Sequence, residues 1–150
     1  MAYDKVIFVC TENTCRSPMA EAVYRAKAGE RALPSSSRGL VVLFPEPLNP
    51  KVLIALSNRE MAAAGSSSTQ LTKEEITENT LILTMSFSEK VKVIEDYQWK
   101  ENVYTIAEFA GEGDDLVAPH GGSQEDYEEC LETCIKMVDG VINKLFTQQT

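Results

Sequence analysis

The stretch KVIFVCTENTCRSP, residues 5–18, decides the fold. Residues 5–9 are mostly apolar and rich in β-forming side chains, which is typical of a strand buried on both faces of a sheet. Residues 10–16 are polar and are interpreted as a loop. Ser17 and Pro18 then begin a helix, because proline fits the first helical turn. The stretch therefore predicts a buried strand that leads through a tight polar loop into a helix.

The remainder of the chain alternates between strand-like and helix-like segments. The further predicted strands span residues 39–43, 80–85 and 103–106. The predicted helices span residues 17–28, 50–64, 88–97 and 124–146, with a short one at 73–78. This alternation indicates an α/β fold with a parallel sheet, which binds ligands beyond the carboxyl ends of its strands. The loops at 10–16 and 107–123 both follow strands, so both are expected at that edge.

Length and composition predict one globular domain over residues 1–150. The chain is 43% hydrophobic and 25% charged, with a net charge of −9. An acidic protein repels nucleic acid and anionic membranes, so neither is an expected partner. No stretch reaches the roughly 20 apolar residues of a membrane span. Four cysteines in a chain of this length do not indicate a disulfide scaffold, and we expect a cytoplasmic protein with reduced thiols.

The loop that follows the first strand carries the chemistry. Five residues separate Cys10 from Arg16. A tight loop that leads into a helix N-terminus turns its N–H groups towards an anion and adds the helix dipole, while an arginine can grip two phosphate oxygens. The same positive potential lowers a cysteine pKa, so Cys10 is expected to be a thiolate ready to attack phosphorus. Ser17 either donates a hydrogen bond to that thiolate or caps the helix.

The segment from Val9 to Glu21 resembles the phosphate loop of the low-molecular-weight protein tyrosine phosphatases. The likeness continues through Ser37-Arg38-Gly39, Leu81 to Met85, and Pro119 with Gly121-Gly122-Ser123. The resemblance implies a flavodoxin-like three-layer sandwich, in which helices cover both faces of a four-stranded parallel sheet of order 2-1-3-4. It implies a hydrolase that needs neither metal nor cofactor and acts on phosphorylated proteins or binds similar anions such as sulfate, as a monomer or weak dimer.

The resemblance also assigns roles to residues of this chain. Cys10 would be the nucleophile that forms a cysteinyl-phosphate, and Arg16 would stabilise the transition state. Asn13 would hold the loop in a left-handed turn, which asparagine tolerates, with support from Ser37. Cys15 would protect Cys10 through a reversible disulfide, the alternative being a small buried residue. The residues expected to bind phosphate are Cys10, Thr11, Glu12, Asn13, Thr14, Cys15 and Arg16.

Two positions of the loop bear on the substrate. A threonine at position 11 resembles the bacterial protein-arginine phosphatases, because its bulk narrows the space for a tyrosine ring while its hydroxyl can meet a guanidinium. The family usually has glycine where this chain has Glu12. That carboxylate is expected to point away from the phosphate. It is either a solvated side chain without a role or a group that attracts the cationic part of a substrate. Phosphotyrosine and phosphoarginine both stay open as substrates.

The late loop departs from the family pattern. The aspartate that serves as general acid in the family is Ala118 here, and an alanine cannot protonate a leaving group. Such help accelerates a reaction by roughly 100- to 10,000-fold. His120 is the candidate substitute, because its ordinary pKa suits an acid at neutral pH. Alternatively, it is a solvent-exposed histidine at a position where the family usually has an aromatic residue. Asp114 and Asp115 are weaker candidates.

Two other functions compete with an active phosphatase. A domain with Cys10 and Arg16 but no acid could bind phosphorylated residues without efficient turnover. An arsenate reductase uses a similar loop but needs two further cysteines after the third strand, and residues 84–90 contain none. Cys130 and Cys134 lie one helical turn apart on an apolar face and are interpreted as core residues, not metal ligands.

Overall fold

A computed structural model describes residues 3–147, and the other positions of the predicted 1–150 domain lie outside that range. The strands are β1 (Lys5–Cys10), β2 (Ser35–Gly39), β3 (Thr80–Thr84) and β4 (Val103–Thr105). The α-helices are α1 (Arg16–Ala28), α2 (Pro50–Asn58), α3 (Phe87–Tyr97), α4 (Ile106–Ala110) and α5 (Gln124–Thr147). Short 3-10 helices span Gly29–Arg31 and Lys73–Glu75.

The sheet is parallel, and its strand order is β2-β1-β3-β4. The predicted α/β fold and sheet order are confirmed. β1 lies between β2 and β3, so Cys10 at its carboxyl end is central to the edge at which ligands bind in such sheets. The loops before α1 and after α4 both reach that edge.

Alternate residues of the central strands face two separate cores. Val6 and Phe8 of β1 pack with α1, α2, α4 and α5 on one face of the sheet. Ile7 and Val9 pack on the other face with Ile82 and with Val93 of α3. This division explains why residues 6–9 of β1 and 81–83 of β3 are apolar without interruption, since both faces of the central strands are covered. Cys130 and Cys134 are buried in the first core, as predicted.

Several predicted boundaries are wrong, and the short helix predicted at 73–78 is a 3-10 helix that spans only Lys73–Glu75. The second strand is Ser35–Gly39, not residues 39–43. Its serines pair with the backbone of β1 at the sheet edge, where the hydrogen-bond ladder needs no apolar side chain. The second helix ends at Asn58, because Glu60 adopts a left-handed conformation with φ of 60°. The fourth strand ends at Thr105, which caps the short helix α4.

Over residues 3–147, no helix combines the length and the apolar character required to cross a membrane.

Candidate active site

Backbone hydrogen bonds attach the loop between β1 and α1 to the segments beside it. The N–H groups of Leu40 and Val41 each donate to the carbonyl of Thr11, at 2.9 Å. The N–H group of Asn49 donates to the carbonyl of Thr14 at 3.0 Å. The apolar residues after β2 therefore run alongside the loop, and Leu43 and Phe44 are exposed there, 89% and 64% respectively. They form one wall of a cleft that Glu12 also lines.

Asn13 organises the loop from within. Its φ of 61° is left-handed, as the resemblance implied, and its side chain is buried. The Nδ2 group donates to Ser17 Oγ at 2.8 Å, and Oδ1 accepts the backbone N–H of Thr69 at 2.8 Å. The hydroxyl of Ser37, by contrast, makes no hydrogen bond with any residue between 3 and 147. The backbone of Thr69 thus supports Asn13, and the supporting role of Ser37 stays a prediction.

The Cys10 thiol lies at the centre of the loop. Ser17 Oγ is 2.9 Å from Cys10 Sγ, and the backbone N–H of Asn13 donates to the sulfur at 3.3 Å. Because Asn13 Nδ2 already donates to Ser17 Oγ, the single hydroxyl proton of Ser17 is shared between Cys10 Sγ at 2.9 Å and the carbonyl of Arg38 at 3.4 Å. The backbone N–H groups of Glu12, Thr14 and Cys15 have no acceptor among residues 3–147, so they are available to an anion.

Burial acts against ionisation of Cys10. It raises the pKa of the Cys10 thiol above its ordinary value, although the hydrogen bond from Ser17 and the charge of Arg16 act in the lowering direction. The direction of this shift is opposite to the lowering of the Cys10 pKa that the loop pattern predicted. The charge of Glu89 adds a further, smaller raising effect on the Cys10 pKa.

The guanidinium of Arg16 is held from two sides. Its NH1 and NH2 groups donate to the two carboxylate oxygens of Glu89, at 3.2 Å and 2.6 Å. NH1 also donates to the carbonyl of Leu116 in the late loop, at 3.2 Å. The loops at 10–16 and 107–123 thus meet at one edge, as predicted. Sequence reasoning missed Glu89, because its Ser86-x-x-Glu pattern resembles an ordinary helix cap.

The late loop places its candidate acids apart from the sulfur. His120 is exposed and lines a cleft with Asp126, Glu129 and Cys130, on the side of α5. No hydrogen bond or ion pair within residues 3–147 joins His120 to Cys10 or Arg16, and its predicted role as an acid stays a prediction. Asp115 accepts the backbone N–H of Phe87 at 2.9 Å and so caps α3, while Asp114 is exposed.

The other thiols are poor nucleophiles at neutral pH. Burial raises the pKa of Cys15 to about 12 and that of Cys130 to about 11. The redox role of Cys15 stays a prediction. Within residues 3–147, no group of three or more histidine, cysteine or acidic side chains is arranged to hold a metal ion.

The family model of the low molecular weight phosphotyrosine protein phosphatases matches residues 5–149. The chain belongs to this family. Among its relatives, the low molecular weight protein-tyrosine-phosphatase PtpB of Staphylococcus aureus is 30% identical over 90% of this chain and 97% of its own. The present chain is therefore a hydrolase of a family that acts on phosphorylated proteins with a cysteine nucleophile.

Two solved structures of this phosphatase family are similar over most of their length. A low molecular weight protein tyrosine phosphatase from T. tengcongensis has a TM-score of 0.87 and 30% identity, covering 93% of this chain and 98% of that one. The YwlE arginine phosphatase from Geobacillus stearothermophilus has a TM-score of 0.85 and 30% identity, covering 97% and 94%. The family thus includes enzymes named for either phosphoresidue.

Proposed function

We propose that this protein hydrolyses phosphoarginine on proteins, with Cys10 as the nucleophile and Arg16 as the phosphate ligand. The observation that carries the catalytic part is the thiol of Cys10 beside Ser17 Oγ, 2.9 Å away, in a loop whose N–H groups of Glu12, Thr14 and Cys15 are free to bind an anion.

The reaction proceeds in two displacements. Cys10 loses its proton to solvent and its Sγ attacks phosphorus as the thiolate, the bond from phosphorus to the leaving atom breaks, and the leaving atom takes the electron pair. A water molecule then attacks the phosphorus of the cysteinyl-phosphate, the bond from sulfur to phosphorus breaks with its electron pair on Sγ, and the water proton passes to solvent as inorganic phosphate leaves. Arg16 and the loop N–H groups stabilise the charge on the phosphoryl oxygens in both steps.

Ala118 favours phosphoarginine over phosphotyrosine. Departure of a tyrosine oxygen is assisted by a proton from a general acid, and Ala118 supplies none. A phosphoguanidinium is already protonated, so it departs as a neutral guanidine and takes a proton from water afterwards. Thr11 supports the same substrate, since its hydroxyl can meet the guanidinium. The 30% identity to a YwlE arginine phosphatase is consistent with this choice.

Phosphotyrosine is the second candidate substrate. The relatives named PtpB are protein-tyrosine phosphatases, and PtpB of Staphylococcus aureus is 30% identical to this chain. Turnover of phosphotyrosine would need His120 or another acid in place of Ala118. A third outcome is a module that binds phosphorylated residues and reacts once.

Steady-state turnover of matched phosphoarginine and phosphotyrosine peptides tests the proposal. We expect kcat/KM to be at least about tenfold higher for phosphoarginine, and Cys10→Ser to abolish both activities while it retains peptide binding. A preference for phosphotyrosine would replace the first candidate with the second. A single burst of product without turnover would identify a binding module.

A further inference from the structure

Glu89 is an acidic side chain buried directly beside the phosphate loop. Its side chain is only 3% exposed, although it lies in the first turn of α3. The carboxylate accepts four hydrogen bonds. Oε1 accepts from Arg16 NH1 at 3.2 Å and from Ser86 Oγ at 2.9 Å, and Oε2 accepts from Arg16 NH2 at 2.6 Å and from Thr11 Oγ1 at 2.7 Å.

These contacts use the whole accepting capacity of the carboxylate. A carboxylate has about four lone-pair sites, and all four have donors here. Glu89 is therefore held in one orientation, and the bidentate geometry fixes the plane of the Arg16 guanidinium in turn. Removal of the carboxylate would leave a buried arginine charge without its partner, which is costly.

The hydrogen bond between Thr11 and Glu89 determines whether the Thr11 hydroxyl can donate to a ligand or only accept from it. A threonine hydroxyl has a single proton, and Thr11 donates it to Glu89 Oε2. What remains on Oγ1 is lone pairs, so the hydroxyl can accept a hydrogen bond but cannot donate one. A guanidinium N–H can donate to it, whereas the ring of a phosphotyrosine offers no such donor.

We propose that Glu89 is a positioning residue with two effects: it orients Arg16 for phosphate binding, and it fixes the Thr11 hydroxyl as an acceptor that selects leaving groups with N–H donors. The second effect rests on the proposed function, because it concerns the choice between phosphoarginine and phosphotyrosine.

Four variants separate the two effects. Glu89→Gln preserves the size of the side chain but places an NH2 group against one nitrogen of Arg16 and against one hydroxyl, that of Thr11 or that of Ser86. Thr11→Val removes the hydroxyl alone and leaves the ion pair of Arg16 in place. The double variant tests whether the two act together. Glu75→Gln is the matched control, since Glu75 forms an ion pair of 2.7 Å with Arg38 outside the site.

Each variant is measured by kcat/KM on both peptides, with the melting temperature as a check on folding. Glu89→Gln is expected to lower both values by about tenfold to a hundredfold through Arg16. It should also lower the ratio of phosphoarginine to phosphotyrosine activity by about tenfold, the loss expected for one charge-assisted hydrogen bond. Thr11→Val should lower the ratio by a similar factor, and the double variant should lower it no further. Glu75→Gln should behave as the wild type.

A binding measurement separates a failure of this inference from a failure of the proposed function. In the Cys10→Ser background, which cannot turn over, the affinities for the two peptides report the same ratio. If the wild type hydrolyses neither peptide, the proposed function fails, and a lower affinity ratio in Glu89→Gln still supports the inference. An unchanged ratio in Glu89→Gln, by turnover and by binding, would overturn it, as would unchanged activity on both peptides.

Discussion

Thr69 donates its backbone N–H to Asn13 Oδ1 across 2.8 Å, although 55 residues of chain lie between them. The Nδ2 group of the same amide donates to Ser17, which contacts the sulfur of Cys10. The segment that follows α2 is therefore linked to the nucleophile through one buried side chain. Any change that moves Thr69 is transmitted to the environment of the thiol.

Replacement of Asn13 separates its hydrogen bonds from its backbone conformation. Asn13→Gly and Asn13→Ala both lose the contacts with Thr69 and Ser17, but alanine is also strained at a φ of 61°. We expect Asn13→Gly to lower the free energy of unfolding by about 2 kcal/mol, and Asn13→Ala by about 1 kcal/mol more. Urea unfolding measures both, and equal stability of the two variants would show that the left-handed turn is not strained by a β-carbon.

The loop between β1 and α1 lies close to the end of β2 because Gly39 has no side chain. A β-carbon at Gly39 would lie 2.5 Å from Val42 Cγ2, 3.0 Å from Asn13 Cβ and 3.1 Å from the carbonyl oxygen of Thr11. Gly39→Ala should therefore displace the loop and weaken the binding of inorganic phosphate by at least about tenfold. Isothermal titration with phosphate checks this.

Gly65→Ala is the control for that substitution, because a β-carbon at Gly65 would meet no atom within 4 Å. It should bind phosphate as the wild type does. Equal affinity in Gly39→Ala and Gly65→Ala would mean that the loop can yield without loss of the site.

The sequence predicted the nucleophile loop well because its signals are local. A strand, a polar loop and a helix start lie within residues 5–18, and the alternation along the chain predicted the sheet. β2 was misplaced because its serines have no apolar pattern, whereas the apolar residues after it are exposed beside the loop. Helix α4 was missed, although Thr105-x-x-Glu108 is a capping-box pattern that predicts a helix start.

Glu89 could not be predicted as part of the site, since its partner Arg16 is 73 residues away along the chain. From sequence, its position in the first turn of α3 indicates only a favourable interaction with the helix dipole. The pKa of Cys10 could not be predicted either. The loop pattern contains the lowering influences, but burial, which is the largest effect, depends on the packed core around the sulfur.

The late loop gives a prediction with an internal control. If His120 supplies a proton in place of Ala118, His120→Ala should lower kcat for a phosphotyrosine peptide, by about tenfold or more, and flatten the acid limb of its pH profile. The same variant should leave phosphoarginine turnover unchanged, because that leaving group needs no acid. An unaltered kcat for phosphotyrosine would exclude His120 as the acid.

Ala118→Asp tests the same step by restoring a carboxylate. It should raise kcat for phosphotyrosine by about 100-fold or more, at a pH where the aspartate is still protonated in the complex. Phosphoarginine turnover should change much less. Equal gains on both substrates would contradict the view that only phosphotyrosine lacks an acid.

Alkaline pH should destabilise the fold through its buried thiols. The ordinary thiol pKa of 9.0 is raised to about 11 for Cys130 and about 12 for Cys15. Between pH 9 and pH 11 the unfolded thiols release protons that the folded ones retain, so the free energy of unfolding falls as the pH rises. The contribution is fully present below pH 9 and is lost as the pH passes through the folded values.

Cys130→Ala isolates one of these thiols. The difference in unfolding free energy between wild type and Cys130→Ala should shrink by about 1–2 kcal/mol from pH 7.5 to pH 10.5, because only the wild type loses this contribution. Other groups that ionise at alkaline pH are common to both proteins, so they cancel in the difference. A difference that is constant with pH would mean that the Cys130 thiol ionises equally well in the folded and unfolded chains.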